Sequence, residues 1–267
     1  MKVSSREYKA MLDHTRFGDR SVAVKQYWEE AAEIMKRADN VKAMGDFDRK
    51  EKRTIAFLDT PDLSISRNGF VLRRRAQSDS VQYTLKCRSD DRYFAAGIVL
   101  RAADGLDSKG KLEEDIAPPF QCRFSNSATL TLAEAQDELP TTLAAAAALF
   151  PALAALRVDG RACPGDTPLS EVHKIEAFER VYAGPRLLFD LPGSANASVA
   201  LILWSNGENG RALAAEISFR MKDPDEQFGR ELARGARMAF GLLQGMDWCR
   251  PDSPTKTQFV YGGAVGE

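Results

Sequence analysis

Residues two apart on a β-strand project from one face, and several segments of this chain carry charge at that spacing. In residues 70–76, Arg73 and Arg75 share a face with Val71 and Gln77, while Phe70, Leu72 and Ala76 lie opposite with Arg74. In residues 81–88 the polar face is Gln82, Thr84, Lys86 and Arg88, opposed by Val81, Tyr83, Leu85 and Cys87. The polar turn Gln77-Ser78-Asp79-Ser80 joins the two as a hairpin and lays both cationic faces side by side. Like charges across paired strands repel unless an anion or acidic partners sit between them. Cations so arranged would hold a polyanion. Acids recur in the same way: Glu7 with Lys9, then Glu113 and Asp115 with Lys111, then Glu216 with Ser218, Arg220 and Lys222. Clustered carboxylates suit a hard cation such as Mg2+ or Mn2+.

These faces must be carried by strands that either expose them to solvent or close into a barrel with a wet interior. Five strands each spending two or three charges on one face favour the barrel. Period-two alternation marks residues 3–11, 54–58, 70–76, 81–88, 93–100, 111–116, 172–182, 187–190, 199–205 and 213–221 as strands. Helical spacing marks residues 24–38, 132–139, 142–156 and 225–244. Thr60 and Pro61 open a further short helix that Gly69 ends. The chain is expected to be α+β, a single domain over residues 1–267 with an Ala-rich helical excursion at about 128–160.

Composition excludes several classes. Lys plus Arg number 37 against 38 Asp plus Glu, so no cationic surplus exists to coat a nucleic acid. No aromatic residues interleave with Arg73 and Arg75 to stack bases, and no nucleic-acid partner is expected. The most apolar stretch, residues 143–156, is interrupted by Pro151 and falls short of the ~20 residues of a membrane helix. The polar opening Met1-Lys2-Val3-Ser4-Ser5-Arg6-Glu7 has no apolar signal core. Cys87, Cys122, Cys163 and Cys249 form no CxxC pair and His14 and His173 stand alone, which argues against zinc and for free thiols in the cytoplasm.

The run Phe57-Leu58-Asp59-Thr60-Pro61-Asp62-Leu63, then Gly69, Leu72-Arg73-Arg74-Arg75 and Thr84-Leu85-Lys86-Cys87-Arg88, resembles the CYTH domain signature in order and spacing. That is the triphosphate tunnel metalloenzyme superfamily, which includes class IV adenylyl cyclases, thiamine triphosphatases and inorganic triphosphatases. The likeness extends along the chain. Ser5-Arg6-Glu7-Tyr8-Lys9 resembles the opening ExExK strand with its first acid replaced, and Lys111-Leu112-Glu113-Glu114-Asp115 resembles the mid-chain acidic strand. Arg180 resembles the arginine of the second half, Glu216-Ile217-Ser218 the late ExE strand with its second acid replaced, and Thr255-Lys256 the closing Ser-Lys.

The resemblance implies an antiparallel eight-stranded β-barrel, an open tunnel flanked by helices. Its phosphate-binding cations would be Lys9, Arg73, Arg75, Lys86, Arg88, Arg180 and Lys256. Glu7, Glu113, Asp115 and Glu216 would bind Mg2+ or Mn2+, with Glu113, Asp115 and Glu216 also catalytic. The implied activity is metal-dependent hydrolysis of a triphosphate, inorganic triphosphate first, with thiamine triphosphate hydrolysis and ATP cyclisation as neighbours. Ser5 and Ser218 leave a second reading open, a non-catalytic module that binds polyphosphate or nucleotide. A small-molecule partner is expected, in a monomer or homodimer, with no membrane.

Overall fold

The computed structural model describes residues 1–190 and 195–262. In chain order the elements are β1 (Val3–Leu12), α1 (Arg20–Met35), β2 (Val41–Met44), β3 (Arg49–Asp59), α2 (Ser64–Arg67), β4 (Phe70–Ala76), β5 (Ser80–Ser89) and α3 (Arg92–Gly97). There follow β6 (Ser108–Ala117), β7 (Gln121–Ala133), α4 (Leu143–Leu149), the short pair β8 (Arg157–Val158) and β9 (Arg161–Ala162), β10 (Ser170–Phe189), β11 (Ala195–Ser205), β12 (Ala212–Lys222), α5 (Arg230–Gln244) and α6 (Lys256–Tyr261).

Among the described residues, nine strands close on themselves in the order β11-β12-β1-β6-β7-β5-β4-β3-β10, with β10 returning to β11. β2 adds to β10 beyond the end of β3. The barrel expected from the sequence is therefore present, but with nine strands where eight were expected, and it is not wholly antiparallel. The two corrections have one cause. Directions can alternate all the way round a closed ring only when the strand number is even, so an odd ring must contain a parallel neighbour pair. Here that pair is β1 and β6.

Local chemistry explains where other expectations shift. Residues 93–100 form no strand, because the Asp91 carboxylate accepts the backbone N–H groups of Tyr93 and Phe94 and caps α3. β7 occupies residues expected to begin a helical excursion. Its Ser125, Ser127 and Thr129 alternate with Asn126, Ala128 and Leu130, a pattern too weakly apolar to read as a strand until β5 and β6 pair on either side. The helix expected at 132–139 is the end of β7 and one 3-10 turn. Residues 172–182 and 187–190 are one strand, with a register shift between Ala183 and Arg186. The helix at 142–156 is confirmed in part: Thr142 caps α4, and Pro151 opens a 3-10 turn after it.

The Asp59-Thr60-Pro61-Asp62 motif has a structural task. The Asp59 carboxylate accepts from the backbone N–H of Thr60 and Ile65 at 2.8 Å and of Ser66 at 3.0 Å. Thr60 Oγ1 accepts from Ser64 N at 2.7 Å. These bonds turn β3 into α2 and aim the chain at β4, with Gly69 at φ +78°, where a Cβ would be strained.

Most of the apolar side chains face outward, apart from an interior cluster of Met11, Ile55, Phe57, Trp204 and Ala214 at one end. Tyr8, Ala10 and Leu12 of β1, Leu201 and Leu203 of β11 and Ile217, Phe219 and Met221 of β12 pack under α1 and α5. On the opposite flank Leu72, Tyr83, Leu85 and Leu130 pack under α4. Each large apolar side chain so buried contributes about 1.5–3 kcal/mol. Helices therefore supply the core on the outside of the barrel, which leaves its inside free for charge.

Candidate anion site in the barrel interior

Register carries one set of alternating positions around the ring. β12 sets Arg220, Ser218 and Glu216 beside Glu7, Lys9 and Met11 of β1, and β6 sets Glu113 and Asp115 beside Ser5 and Glu7. β7 places Ser125 against Glu113 and, on its other side, against Arg88 of β5. β4 places Arg73 and Arg75 against Thr84 and Gln82. β3 and β10 pair Arg53 with Glu179, and β11 brings Trp204 to Glu179 and to Ala214 of β12. The polar faces recognised in the sequence are one continuous interior surface.

The interior acids are held by cations. Lys9 Nζ lies 3.2 Å from Glu7 and 2.8 Å from Asp115, and Lys86 Nζ lies 3.7 Å from Asp115. Glu113 accepts from Ser5 Oγ at 3.0 Å and pairs with Lys111 at 2.8 Å and Arg220 at 3.9 Å. Lys256, the first residue of α6, reaches Glu216 at 2.9 Å. Glu179 pairs with Arg53, accepts from Trp204 Nε1 at 2.7 Å and has Lys256 at 4.0 Å. Burial pushes the Glu179 carboxyl upward, but Lys256, Arg53 and Arg75 outweigh it and bring it down to about 2. Burial opposes ionisation of Asp115 too, yet Lys86, Lys9 and Arg88 hold it well below the usual carboxylate range.

Three cations are left over. Among the described residues, Arg73, Arg75 and Arg88 have no acid within ion-pair distance, and the Nε of each is buried without a hydrogen-bond partner. Burial, and then Arg75, depresses Arg73; burial brings Arg75 down to about 10. Burial also brings Lys86 down to about 7, against the pull of Asp115 and with the push of Arg88 and Lys9. Arg75 and Arg73 on β4 continue into Lys86 and Arg88 on β5 by register, one cation at each same-face step. At about 6.6 Å per step the line extends over about 20 Å. A charge line of that form, with donors unmet, is complementary to an extended polyanion.

Not every expected residue arrives. Arg180 follows Glu179 on β10 and so faces outward, where it donates to Ser205 Oγ and the Glu208 carbonyl and lies 4.7 Å from the Phe178 ring. Glu216 and Glu113 are both interior but lie beside Met11 and Ser5, six residues apart on β1, roughly 20 Å along the strand. At the Met11 end the interior is apolar: Met11, Ile55, Phe57, Trp204 and Ala214 pack together with Val260 of α6, where the resemblance implied an open tunnel.

The expected Mg2+ or Mn2+ set is tested by the same geometry. Glu7 and Asp115 are neighbours, but Lys9 bridges them, Glu113 is taken by Lys111 and Ser5, and Glu216 is elsewhere. Among the described residues no three of His, Cys, Asp and Glu converge as a divalent-ion centre requires. Glu7, Glu113, Asp115 and Glu216 thus do not fit one preassembled metal site.

Sequence reasoning missed Glu179 and Arg53. Glu179 alternates with Ala177 and Val181, and a charge in such company was the available signal. Arg53 sits in the charged run Arg49-Lys50-Glu51-Lys52-Arg53, which reads locally as solvated surface.

No family model matches the chain, and no curated protein matches it by sequence. Solved structures are similar in shape. A candidate adenylate cyclase from Bacillus halodurans has 12% identity, covers 96% of this chain and 97% of its own, and superposes with a TM-score of 0.43. A candidate adenylyl cyclase from Hippeastrum, described as having a dominant triphosphatase activity, has 10% identity, coverage of 98% and 96%, and a TM-score of 0.42. A candidate adenylate cyclase from Vibrio parahaemolyticus has 12% identity, coverage of 91% and 90%, and a TM-score of 0.29.

Proposed function

We propose that the barrel interior binds a triphosphate, and that the chain is a CYTH-like phosphohydrolase acting on inorganic triphosphate in preference to thiamine triphosphate or ATP. The observation that carries this reading is the line of Arg75, Arg73, Lys86 and Arg88, of which three guanidiniums have buried, unpartnered Nε atoms. A polyanion laid along it supplies the missing acceptors. Fixed guanidiniums in a site withdrawn from water also neutralise charge on the transferred phosphoryl oxygens as the anhydride bond opens. The four acids remain proposed site residues; their task in this reading is to hold Lys9, Lys86, Lys111 and Lys256 in place.

Lys86 gives the reading a pH signature. Its ammonium is held at about 7 in the free protein, and an arriving polyanion favours the charged form, so binding near neutrality takes up a proton. Tripolyphosphate affinity is expected to rise as pH falls from about 8 to 6, with calorimetry in buffers of different ionisation enthalpy showing the uptake. Lys86→Met is expected to abolish the Lys86 part of that uptake. An identical uptake in the variant counts against this assignment.

A second reading, binding without turnover, is favoured by Ser5 and Ser218. Ser5 donates to Glu113, and Ser218 is buried opposite Lys9, where the resemblance has carboxylates. Phosphate release from tripolyphosphate, ATP and thiamine triphosphate, each with and without Mg2+ or Mn2+, separates the two. Release from tripolyphosphate above the other two supports the hydrolase. Tight tripolyphosphate binding with no release from any substrate establishes the module. Ser5→Glu with Ser218→Glu is expected to add metal-dependent rate, because carboxylates are far better divalent-ion ligands than hydroxyls.

A further inference from the structure

The outer face of the barrel carries a second cationic cluster that the tunnel does not use. Register sets Lys52 beside Arg180 and Lys50 beside Tyr182 on β3 and β10, all on the face opposite Arg53 and Glu179. Arg20, the first residue of α1, donates to the Gly210 carbonyl of the loop whose Glu208 carbonyl takes Arg180, and Lys50 Nζ lies 5.2 Å from the Tyr182 ring centre. Glu208 is the acid that meets the group, 2.6 Å from Lys52 and 3.9 Å from Arg180. Arg180 and Arg20 otherwise donate to backbone carbonyls of the adjoining loop, those of Glu208 and Gly210.

Among the described residues, then, four cations share one carboxylate. Glu208 answers the repulsion between Lys52 and Arg180 on their paired strands, which leaves Arg20 and Lys50 with no acid within ion-pair distance among the described residues. Two buried atoms of the cluster have no partner, Arg20 Nε and the Tyr182 hydroxyl, and Tyr182 is only 6% exposed. Buried polar groups are nearly always hydrogen-bonded, so the orphaned Tyr182 hydroxyl, on the ring that Lys50 overlies, marks a place for an acceptor. The surplus charge also registers on Lys50, whose ammonium is held below its usual range by burial and by Arg180, Lys52 and Arg20.

We infer that this outer cluster is a second anion site, which takes a small oxyanion of the phosphate class on Arg20, Lys50, Arg180 and the Tyr182 hydroxyl. Two guanidinium forks and an ammonium are donors only, and a phenol adds an O–H, which suits a compact multiply charged acceptor. The donors come from two adjacent strands and one helix start, with Lys50 Nζ 5.2 Å from the Tyr182 ring centre and Arg20 and Arg180 both bound to the loop at 208–210, unlike the extended line inside the barrel.

The probe is inorganic phosphate at low ionic strength, followed by calorimetry or phosphorus NMR. Arg73→Met, Arg75→Met and Arg88→Met together first remove the tunnel's three unpartnered guanidiniums, and that variant is expected to keep a saturable phosphate event. Adding Arg20→Ala and Lys50→Ala is expected to weaken it about tenfold or more. Tyr182→Phe deletes only the hydroxyl and is expected to weaken it several-fold with Tm unchanged, while Lys50→Arg retains it. In the otherwise unaltered chain, Arg20→Ala with Lys50→Ala leaves tripolyphosphate binding intact, so the two sites fail separately. Absence of the phosphate event in the tunnel variant, or an event indifferent to Arg20, Lys50 and Tyr182, overturns the inference.

Discussion

Arg75→Met is expected to weaken tripolyphosphate binding by about 10–150-fold while leaving Tm unchanged or raised. The range follows from the loss of a charge-assisted hydrogen bond of about 1.5–3 kcal/mol, at tenfold per about 1.4 kcal/mol. The stability sign follows from the free protein. Arg75 is buried with its Nε unpartnered, and burial together with Arg53 makes its charged form harder to hold in the fold than in the unfolded chain. A neutral side chain of similar volume removes that penalty and keeps the stem's packing. Calorimetric titration with tripolyphosphate and thermal unfolding of the same preparation read both halves. A residue retained for binding at the expense of stability gives this opposite pair of effects, whereas one serving the fold gives a fallen Tm and unchanged affinity.

Glu179→Gln is expected to do the reverse, lowering Tm by roughly 6–20 °C and tightening tripolyphosphate binding. Gln keeps the volume and can still accept from Trp204, so the change isolates charge. The side chain is 1% exposed, and its loss leaves Arg53 with only the exposed Glu51 at 3.8 Å and Lys256 with Glu216 alone, beside the unpartnered Arg73 and Arg75. Removing one partner of a buried ion pair costs about 3–5 kcal/mol, and a domain of this order of size shifts by about 2–4 °C per kcal/mol. The same surplus charge draws a polyanion more strongly. The pH dependence has a definite sign. Glu179 sits at about 2 in the fold against an ordinary value of 4.5, so its stabilisation is complete above about 4.5 and is lost as pH falls through about 2. The Tm gap between parent and variant should therefore narrow across that window. Equal Tm values at pH 7 would sink the assignment, and Arg53→Met in the Glu179→Gln background should recover part of the loss.

Most of the interior was legible as faces. Arg73, Arg75, Lys86 and Arg88 share one surface because side-chain direction along a strand is set by the pleat, which is local. The same holds for Glu7 with Lys9 and for Glu113 with Asp115. Partnership was not legible. That Lys9 bridges Glu7 and Asp115, or that Glu216 lies far from Glu113, depends on which strands are neighbours and in what register.

The sequence by itself determined that two flanks of this chain are amphipathic sheet, apolar on one face and charged on the other, because a two-residue period needs no distant partner to be real. It also determined that the strand stops at Asp59-Thr60-Pro61-Asp62, whose hydrogen bonds all close within seven residues, although the helix that follows opens at Ser64 and not at Pro61. Tertiary structure alone decided which face is inside. On β10 the adjacent Glu179 and Arg180 are both charged, and only closure of the ring sends the carboxylate inward to Arg53 and the guanidinium outward to Glu208. Closure also decided the strand number, and through its parity the parallel β1–β6 pair, and it brought Lys256 from the last helix to Glu216. Each of these joins residues far apart in the chain, and no local preference of the backbone carries that information.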